Sequence, residues 1–493
     1  AMTSIKKFNR MSESEVITPS KVCDEMVALL PEEGLREIVD KQDKLLDITS
    51  KSGEYAVSIY KRLTLELGYS HEDVKDIIYS IPTSSIAYEF TRRFYEILNL
   101  NVDNIASGFN AYDLIEVQDK NGEVNYTKIN DLLKQDRTFN GITLKDEIKV
   151  GENKVKFGAV IGNPPYQISD GGAQASAKPI YQNFVLIGKK LASDYTCFIT
   201  PTRWFAGGKG LDEFRNQMLN DKTIKELHDF LTPEDVFPNT NNRGGVCYFI
   251  QDRNKEDEIM KFVTHKNNKV IYSTERKIKI RGIDILIRDS KGYSILNKVA
   301  RLTCDFLTNH ISSLRPFGFR GYFVKDKNYK KEKTGLKNAV VCIGKGKQIG
   351  YVEKVLILKN IEWIESWKVF IPRANNISTE LNDDNLNAFV GSPNEICTES
   401  YLTCFADDGL TEISVKNATK YMTTKFVRYL HSLSKSSQDA TAKTFRFVPM
   451  QDFTNESDID WSKSINEIDE QLFDKYELSI EEREHIKSSI KDM

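Results

Sequence analysis

The sequence predicts an α/β protein, with a doubly wound, mostly parallel sheet in its first half and a mixed α+β region in its second. Short apolar runs alternate with helical patterns from Ser20 to Pro201, as strands buried between two layers of helices do. That alternation breaks near Asp252, after the run GGVCYFIQD. The 493 residues, 40% apolar and 28% charged, describe an ordinary globular chain. Such a length accommodates roughly two to four domains around a substantial core.

The elements follow in order. Ser20 to Leu30 has helical spacing, Lys44 to Thr49 (KLLDIT) reads as a buried strand, and Glu54 to Leu67 as a second helix. Asp76 to Pro82 is strand-like and precedes a helix from Ile86 to Leu98. Phe157 to Gly162 (FGAVIG) is a strand, Ile180 to Leu191 a helix, and Tyr195 to Pro201 a further strand. Beyond residue 252, strand-like pieces at Lys277 to Ile280, Tyr351 to Lys359 and Lys368 to Pro372 mix with helices. These changes divide the chain into 1–253 and 254–493, with the boundary falling somewhere in 253–290. The acidic end, with Ile465, Ile468, Leu472 and Phe473 at helical spacing, reads as an amphipathic cap.

Composition excludes several classes. No run reaches the roughly 18 apolar residues of a membrane span, and the opening AMTSIKKFNRMSESEV has no apolar signal core. Seven cysteines, an odd number without a CxxC pair, argue against a disulfide framework or a zinc site and for a reducing cytoplasm. Six scattered histidines form no HExxH pattern, so no metal is expected. The formal charge of −2 argues against a nucleic-acid partner only until it is resolved along the chain. Residues 254–350 hold 22 Lys/Arg against nine Asp/Glu, an excess of +13; residues 451–493 hold five against 13, or −8. A basic stretch of that size suits a phosphate backbone.

Asn163-Pro164-Pro165-Tyr166, directly after the strand AVIG, carries the most chemistry. In a doubly wound sheet, ligands sit at the carboxyl ends of strands, where this motif falls. The Asn163 side-chain oxygen and the Pro164 carbonyl can each accept one hydrogen bond from an amino group on an aromatic ring. Such bonds draw the nitrogen lone pair out of conjugation. Two prolines stiffen the loop, and Tyr166 offers a face for stacking. A second signal, LLDITSKSG, ends a strand on Asp47 and turns at Gly53 into a helix, as nucleoside-cofactor sites do. Upstream, Thr18-Pro19 precedes a helix for which Thr18 or Ser20 is a plausible N-cap.

ITPSKV, LLDITSKSGEY and GNPPYQ, in that order and followed by a basic region, resemble the gamma class of S-adenosylmethionine-dependent DNA adenine-N6 methyltransferases. More narrowly, they resemble the methylase domains of type IIG and type III-like restriction–modification enzymes. TPTRWFAGGKGLDEFRNQML, the DVFP turn and RGGVCYFIQDR add to the likeness, which covers residues 13–253. The resemblance implies a Rossmann-like methyltransferase sheet followed by a target-recognition domain. It places Asp47 and Gly53 at the methionine end of S-adenosylmethionine, with Thr18 and Pro19 closing over that end. Asp113, or alternatively Tyr112, would contact the cofactor's adenine after a further strand. Asn163, Pro164, Pro165 and Tyr166 match the catalytic motif, and Tyr195 to Pro201 with Arg203 and Trp204 would help build the target pocket.

Three departures from the family pattern stand out. Lys51 replaces a usual glycine, Ile48 replaces a common proline, and Ser80-Ile81-Pro82-Thr83 lacks the acid that normally holds the cofactor's ribose. Glu89 is the nearest acid and would lie on the following helix. The expected partner is duplex DNA, its target adenine flipped out of the stack. Lys327, Lys330, Lys331 and Lys333 are the candidate phosphate contacts, and Arg315, Arg320, Arg373 and Asn375 have side chains suited to base edges. No P-loop is present and no nuclease domain fits before Thr18, so cleavage or translocation would need a nuclease or helicase subunit. Two alternatives remain: an RNA-base or protein-glutamine methyltransferase, and a non-catalytic specificity subunit with a decayed cofactor pocket.

Overall fold

A computed structural model describes residues 10–12, 15–116, 124–143, 154–168, 178–208, 210–238, 244–377, 384–435 and 439–491. The chain divides into two compact units, Ala1–Lys279 with Ile283–Arg288, and Ile280–Gly282 with Asp289–Met493. Among the described residues no helix is long and apolar enough to cross a membrane.

The first unit is built on one eight-stranded sheet. Helices α1 (Ser20–Ala28) and α2 (Glu32–Asp40) lead into β1 (Lys44–Ser50), followed by α3 (Glu54–Lys61), β2 (Ile78–Pro82) and α4 (Ser85–Leu98). Then come β3 (Phe157–Gly162), α5 (Tyr181–Leu191), β4 (Ala192–Pro201), β5 (Ile224–Phe230), β6 (Val246–Asp252), β7 (Ile259–Lys266) and β8 (Lys269–Lys277). The spatial order is β8-β7-β5-β6-β4-β3-β1-β2. Strands β2, β1, β3 and β4 run parallel, and β6 is inserted antiparallel between β4 and β5. From β1 the chain winds first toward β2, then to the other side through β3 and β4. The order therefore reverses between β1 and β3, the position at which doubly wound sheets bind ligands.

Alternate residues of these strands feed two cores. Leu45, Ala159 and Ile161 face the core beneath α1–α3, while Leu46, Ile48 and Val160 face the one beneath α5. Burial on both faces is why these strands are continuous apolar runs. Three expected elements differ. The hairpin β7–β8, assigned by sequence to the second part, joins the first unit's sheet because β7 pairs in parallel with β5. The chain leaves β8 after Lys277, so 278–280 is not a strand. No strand precedes Asn110; Ile105 makes a single bridge to Ser80, and Asp136 takes the Gly108 N–H (2.7 Å) while the Thr138 hydroxyl binds the Ile105 carbonyl (3.1 Å).

Pairing of β5 with β7 also brings within reach two histidines that lie far apart in sequence, His228 opposite Val263 and His265 opposite Phe230. His228 Nδ1 and His265 Nε2 are 2.8 Å apart, with Glu226 against the other His228 nitrogen. Burial and the neighbouring imidazole push His265 down to about 4.

In the second unit, β9 (Ala339–Gly344), β10 (Gln348–Glu353) and β13 (Glu395–Cys397) form one small sheet, ordered β10-β9-β13. Strands β11 (Lys368–Pro372), β12 (Phe389–Gly391) and β14 (Tyr401–Cys404) form another, ordered β12-β11-β14. The expected strand Tyr351–Lys359 stops at Glu353, where the chain turns at Lys354–Leu356; Val355 and Leu358 are 79% and 87% exposed while Ile357 is buried. Helices α6 (Ser290–Leu302), α7 (Glu412–Thr423), α8 (Lys425–Ser432), α9 (Ile465–Lys475) and α10 (Ile480–Ser489) complete the unit. Ser464 caps α9 through a reciprocal bond pair with Glu467, and Ser479 caps α10 likewise with Glu482.

Arg288 closes the first unit at the carboxyl edge of the sheet. Its guanidinium makes two bonds to the fully buried Asp229 on β5 (2.8 and 2.6 Å) and one to the Gly244 carbonyl (2.6 Å). The Thr202 hydroxyl donates to that same carbonyl at 2.6 Å. Removing one partner of a buried pair strands the other's charge, so Arg288→Met is predicted to cost about 3 kcal/mol of unfolding free energy. Urea unfolding measures it; a loss of less than about 1 kcal/mol would show that the pair does not hold this edge.

Candidate active site

The Asn163–Tyr166 motif hangs from the end of β3, beside the turn that ends β1. Contact between the two ends is close: a Cβ at Gly162 would stand 2.8 Å from Thr49 Oγ1. In the β1 turn, Gly53 has φ +78°, a conformation that only glycine adopts readily, and it starts α3 against Thr91 and Phe94 of α4. The Ser50 hydroxyl accepts from the Gly53 N–H (3.1 Å) and bonds Thr91 Oγ1 (3.0 Å), which locks the turn.

Asn163 is buried, and its amide orientation is fixed. Nδ2 donates to the Val16 carbonyl (3.1 Å) and to Thr18 Oγ1 (3.0 Å). A carbonyl can only accept, so nitrogen must face Val16, which leaves Oδ1 as the outward acceptor. Thr18 is therefore not the helix cap; Pro19 holds the N-cap position of α1 without a side-chain bond. The loop's far end is tied by the Ile180 N–H to the Tyr166 carbonyl (3.2 Å). Pro164 and Pro165 are buried, and the ring of Tyr166 is met edge-on by Tyr181 (6.3 Å) and Phe237 (6.5 Å). The Tyr166 hydroxyl has no partner among the described residues.

Two cavities open at this edge. One, of about 370 Å³, is lined by Thr18, Pro19, Ser52, Glu54 and Phe237. The other, of about 930 Å³, lies past the ends of β2 and the Ile105 bridge, lined by Pro82, Glu89, Phe109, Asn110 and Asp113. Asp47 is fully buried; Oδ1 accepts from Thr49 N–H (3.2 Å), while Oδ2 has no partner among the described residues. Glu54 binds the Ser52 N–H (2.8 Å) and hydroxyl (3.0 Å) through Oε2 and leaves Oε1 likewise unpaired. Burial first, and the Glu54 charge second, push the Asp47 carboxyl well above its ordinary value. Two buried carboxyl oxygens without partners among the described residues leave hydrogen-bonding capacity for an amino group, which is the fit that the methionine end of S-adenosylmethionine requires.

Thr18, Pro19, Asp47, Gly53 and the Asn163–Tyr166 motif thus converge on one edge, and Asp113 lines the larger cavity. Asp113 Oδ2 accepts from the Asn110 N–H at 2.7 Å. Trp204 is fully buried in the core against Phe205 and Phe214. Among residues that sequence reasoning missed, Glu54 had the signal of an acid in the first turn of a helix, and Phe237 lies in the DVFP turn.

In the second unit, Lys327, Lys330, Lys331 and Lys333 are exposed. Their segment is pinned where Lys330 and Tyr351 exchange backbone bonds (2.9 and 2.7 Å) and where the Tyr329 hydroxyl donates to Gln348 and Cys342 carbonyls. A Cβ at Gly350 would stand 2.2 Å from the Tyr329 ring, so glycine makes room for this anchor. Asn375 is not a surface reader: it is 4% exposed and its oxygens hold Lys435. Arg315 and Arg373 pair with Glu399 and Asp439.

Residues 76–237 match the family described as Eco57I restriction-modification methylase. An uncharacterized adenine-specific methylase of Mycoplasma pneumoniae is 26% identical over 340 residues, 60% of this chain and 80% of that protein. Among solved structures, the type I restriction-modification methyltransferase subunit from Streptococcus thermophilus shares 18% identity (TM-score 0.33; 54% of this chain, 52% of that one). The type IIG restriction endonuclease BpuSI shares 12% identity (TM-score 0.42; 99% of this chain, 66% of that one). The chain thus spans between half and two thirds of the length of these two structures.

Replacing Asp47 by Asn exchanges one carboxyl oxygen for an NH2 and removes the ionisable group without changing shape. The expected result is calorimetric binding of S-adenosylmethionine weakened by about 10–100-fold, the worth of one charged hydrogen bond. Unchanged affinity would place the cofactor's amino end elsewhere.

Proposed function

We propose that this chain, whose residues 76–237 match the family described as Eco57I restriction-modification methylase, is a site-specific DNA methyltransferase acting on adenine N6. Its setting would be a restriction–modification or phage-defence system. The observation that carries this reading is the fixed amide of Asn163, whose oxygen is left to accept while its nitrogen is spent on Val16 and Thr18.

S-adenosylmethionine, when bound, supplies the electrophilic methyl group. Asp47 and Glu54 hold its amino end, Thr18 and Pro19 close over that end, and Asp113 with Glu89 lines the cavity for adenosine. Glu89 takes the place of the acid missing after β2. Asn163 Oδ1 and the Pro164 carbonyl accept the two N6 hydrogens of the target adenine, which turns the nitrogen lone pair toward the methyl. Tyr166 stacks on the base, which must leave the duplex to reach this edge. With the lone pair so aimed, no enzyme nucleophile would be required, and the surplus N6 proton, held against Asn163 Oδ1 or the Pro164 carbonyl, would be released to solvent. Residues 289–350 of the second unit carry 13 Lys/Arg against four Asp/Glu, and their phosphate contacts offset the unstacking cost. Duplex DNA is thus the proposed partner.

Asn163→Ala is expected to abolish transfer of labelled methyl to DNA while duplex affinity stays within about threefold of wild type. Surviving activity would overturn the assignment of the acceptors. Reversing Lys330 and Lys331 to Glu is expected to weaken binding to all duplexes and to flatten the salt slope by about two. An unchanged slope would move the DNA surface away from this segment.

A further inference from the structure

We propose that Lys51 is a positioning residue for the catalytic loop, its buried ammonium fixing the Asn163 carbonyl and through it the acceptor carbonyl of Pro164. This assignment rests on the adenine-methyltransferase reading above.

The loop cannot hold itself. Pro164 and Pro165 have no N–H, and the β3 ladder ends at Gly162, so backbone bonding stops where the acceptors begin. Supports must come from elsewhere in the chain. The Asn163 side chain has Val16 and Thr18, and the far end has Ile180. The main-chain carbonyl of Asn163 has Lys51, whose Nζ donates to it at 2.6 Å across 112 residues of sequence. Lys51 is 1% exposed, among the largest fully buried side chains of the protein, and its charge acts on the buried Asp47 carboxylate. A buried ammonium is tolerated only with such partners.

The consequence for Pro164 follows from covalent geometry. The Asn163–Pro164 peptide is planar, so fixing the Asn163 carbonyl fixes the plane. The proline ring sets φ of Pro164, and Pro165 confines its ψ to the extended range. Almost no freedom then remains between the Lys51 ammonium and the Pro164 carbonyl. With a glycine at position 51, as in the family pattern, this donor is lost. A charged donor makes the stronger kind of hydrogen bond, which suits a loop lacking its own amides.

Lys51→Met keeps the stem and removes the donor. Misplacing an acceptor lowers kcat, so a drop of about 10–100-fold at saturating DNA and cofactor is expected, with calorimetric Kd for S-adenosylmethionine and KM for DNA within about threefold of wild type. Lys51→Arg, which keeps a charged donor, is expected to recover most of the kcat. If Lys51→Met does not fold, Lys51→Gln takes its place with the same criteria. A kcat within twofold of wild type overturns the proposal. So does a Lys51→Gly chain that binds S-adenosylmethionine more than about tenfold tighter at undiminished kcat, which would make Lys51 an obstruction in the cofactor site. A wild-type chain that methylates no DNA defeats the function reading itself; an active wild type with an unimpaired Lys51 variant defeats only this assignment.

Discussion

The close meeting of β1 and β3 at the point where strand order reverses is the constraint on which the site depends. Gly162 admits Thr49 there, and the side chains that follow each strand reach across to the other. Strand winding alone brings two carboxyl ends together; it does not orient an amide. Orientation comes from a third segment, Val16 to Thr18, which is paired with Asn163 from 145 residues away in the case of Thr18. On the proposed function, cofactor binding and base recognition would share parts, because Thr18 both lines the smaller cavity and holds the Asn163 amide.

Charge is organised by the same division of labour. Around the proposed cofactor seat, Asp47 and Glu54 each keep one buried oxygen without a partner among the described residues. The basic excess sits mostly in residues 289–350, exposed and without a role in the core. Overall neutrality thus sums an acidic tail, a basic surface and a buried acidic seat, and says nothing of any of them.

Strands such as Lys44–Thr49 and Phe157–Gly162 were legible because burial on both faces demands unbroken apolar runs. The NPPY loop was legible because its residue types are dictated by what they must do. What the sequence hid was pairing at long range. Neither the Thr18 hydroxyl on Asn163 nor Lys51 on its carbonyl has a periodicity, and a threonine before a helix reads first as a cap. His228 and His265 were likewise unconnected until the pairing of β5 with β7 brought them within reach. The hairpin β7–β8 was assigned beyond the first unit because β8 is largely exposed and polar, so its membership shows only in its pairing. In the opposite sense, the apolar run after Tyr351 promised a strand and delivered exposed side chains.

The central claim is that this chain methylates adenine N6 within a defined DNA sequence. Sequencing methylated bases in genomic DNA from cells expressing the chain, in a host free of other adenine methylation, tests it most directly. The account predicts N6-methyladenine at nearly every copy of one short motif. Unmodified adenine throughout, or methyl groups confined to cytosine, would contradict it.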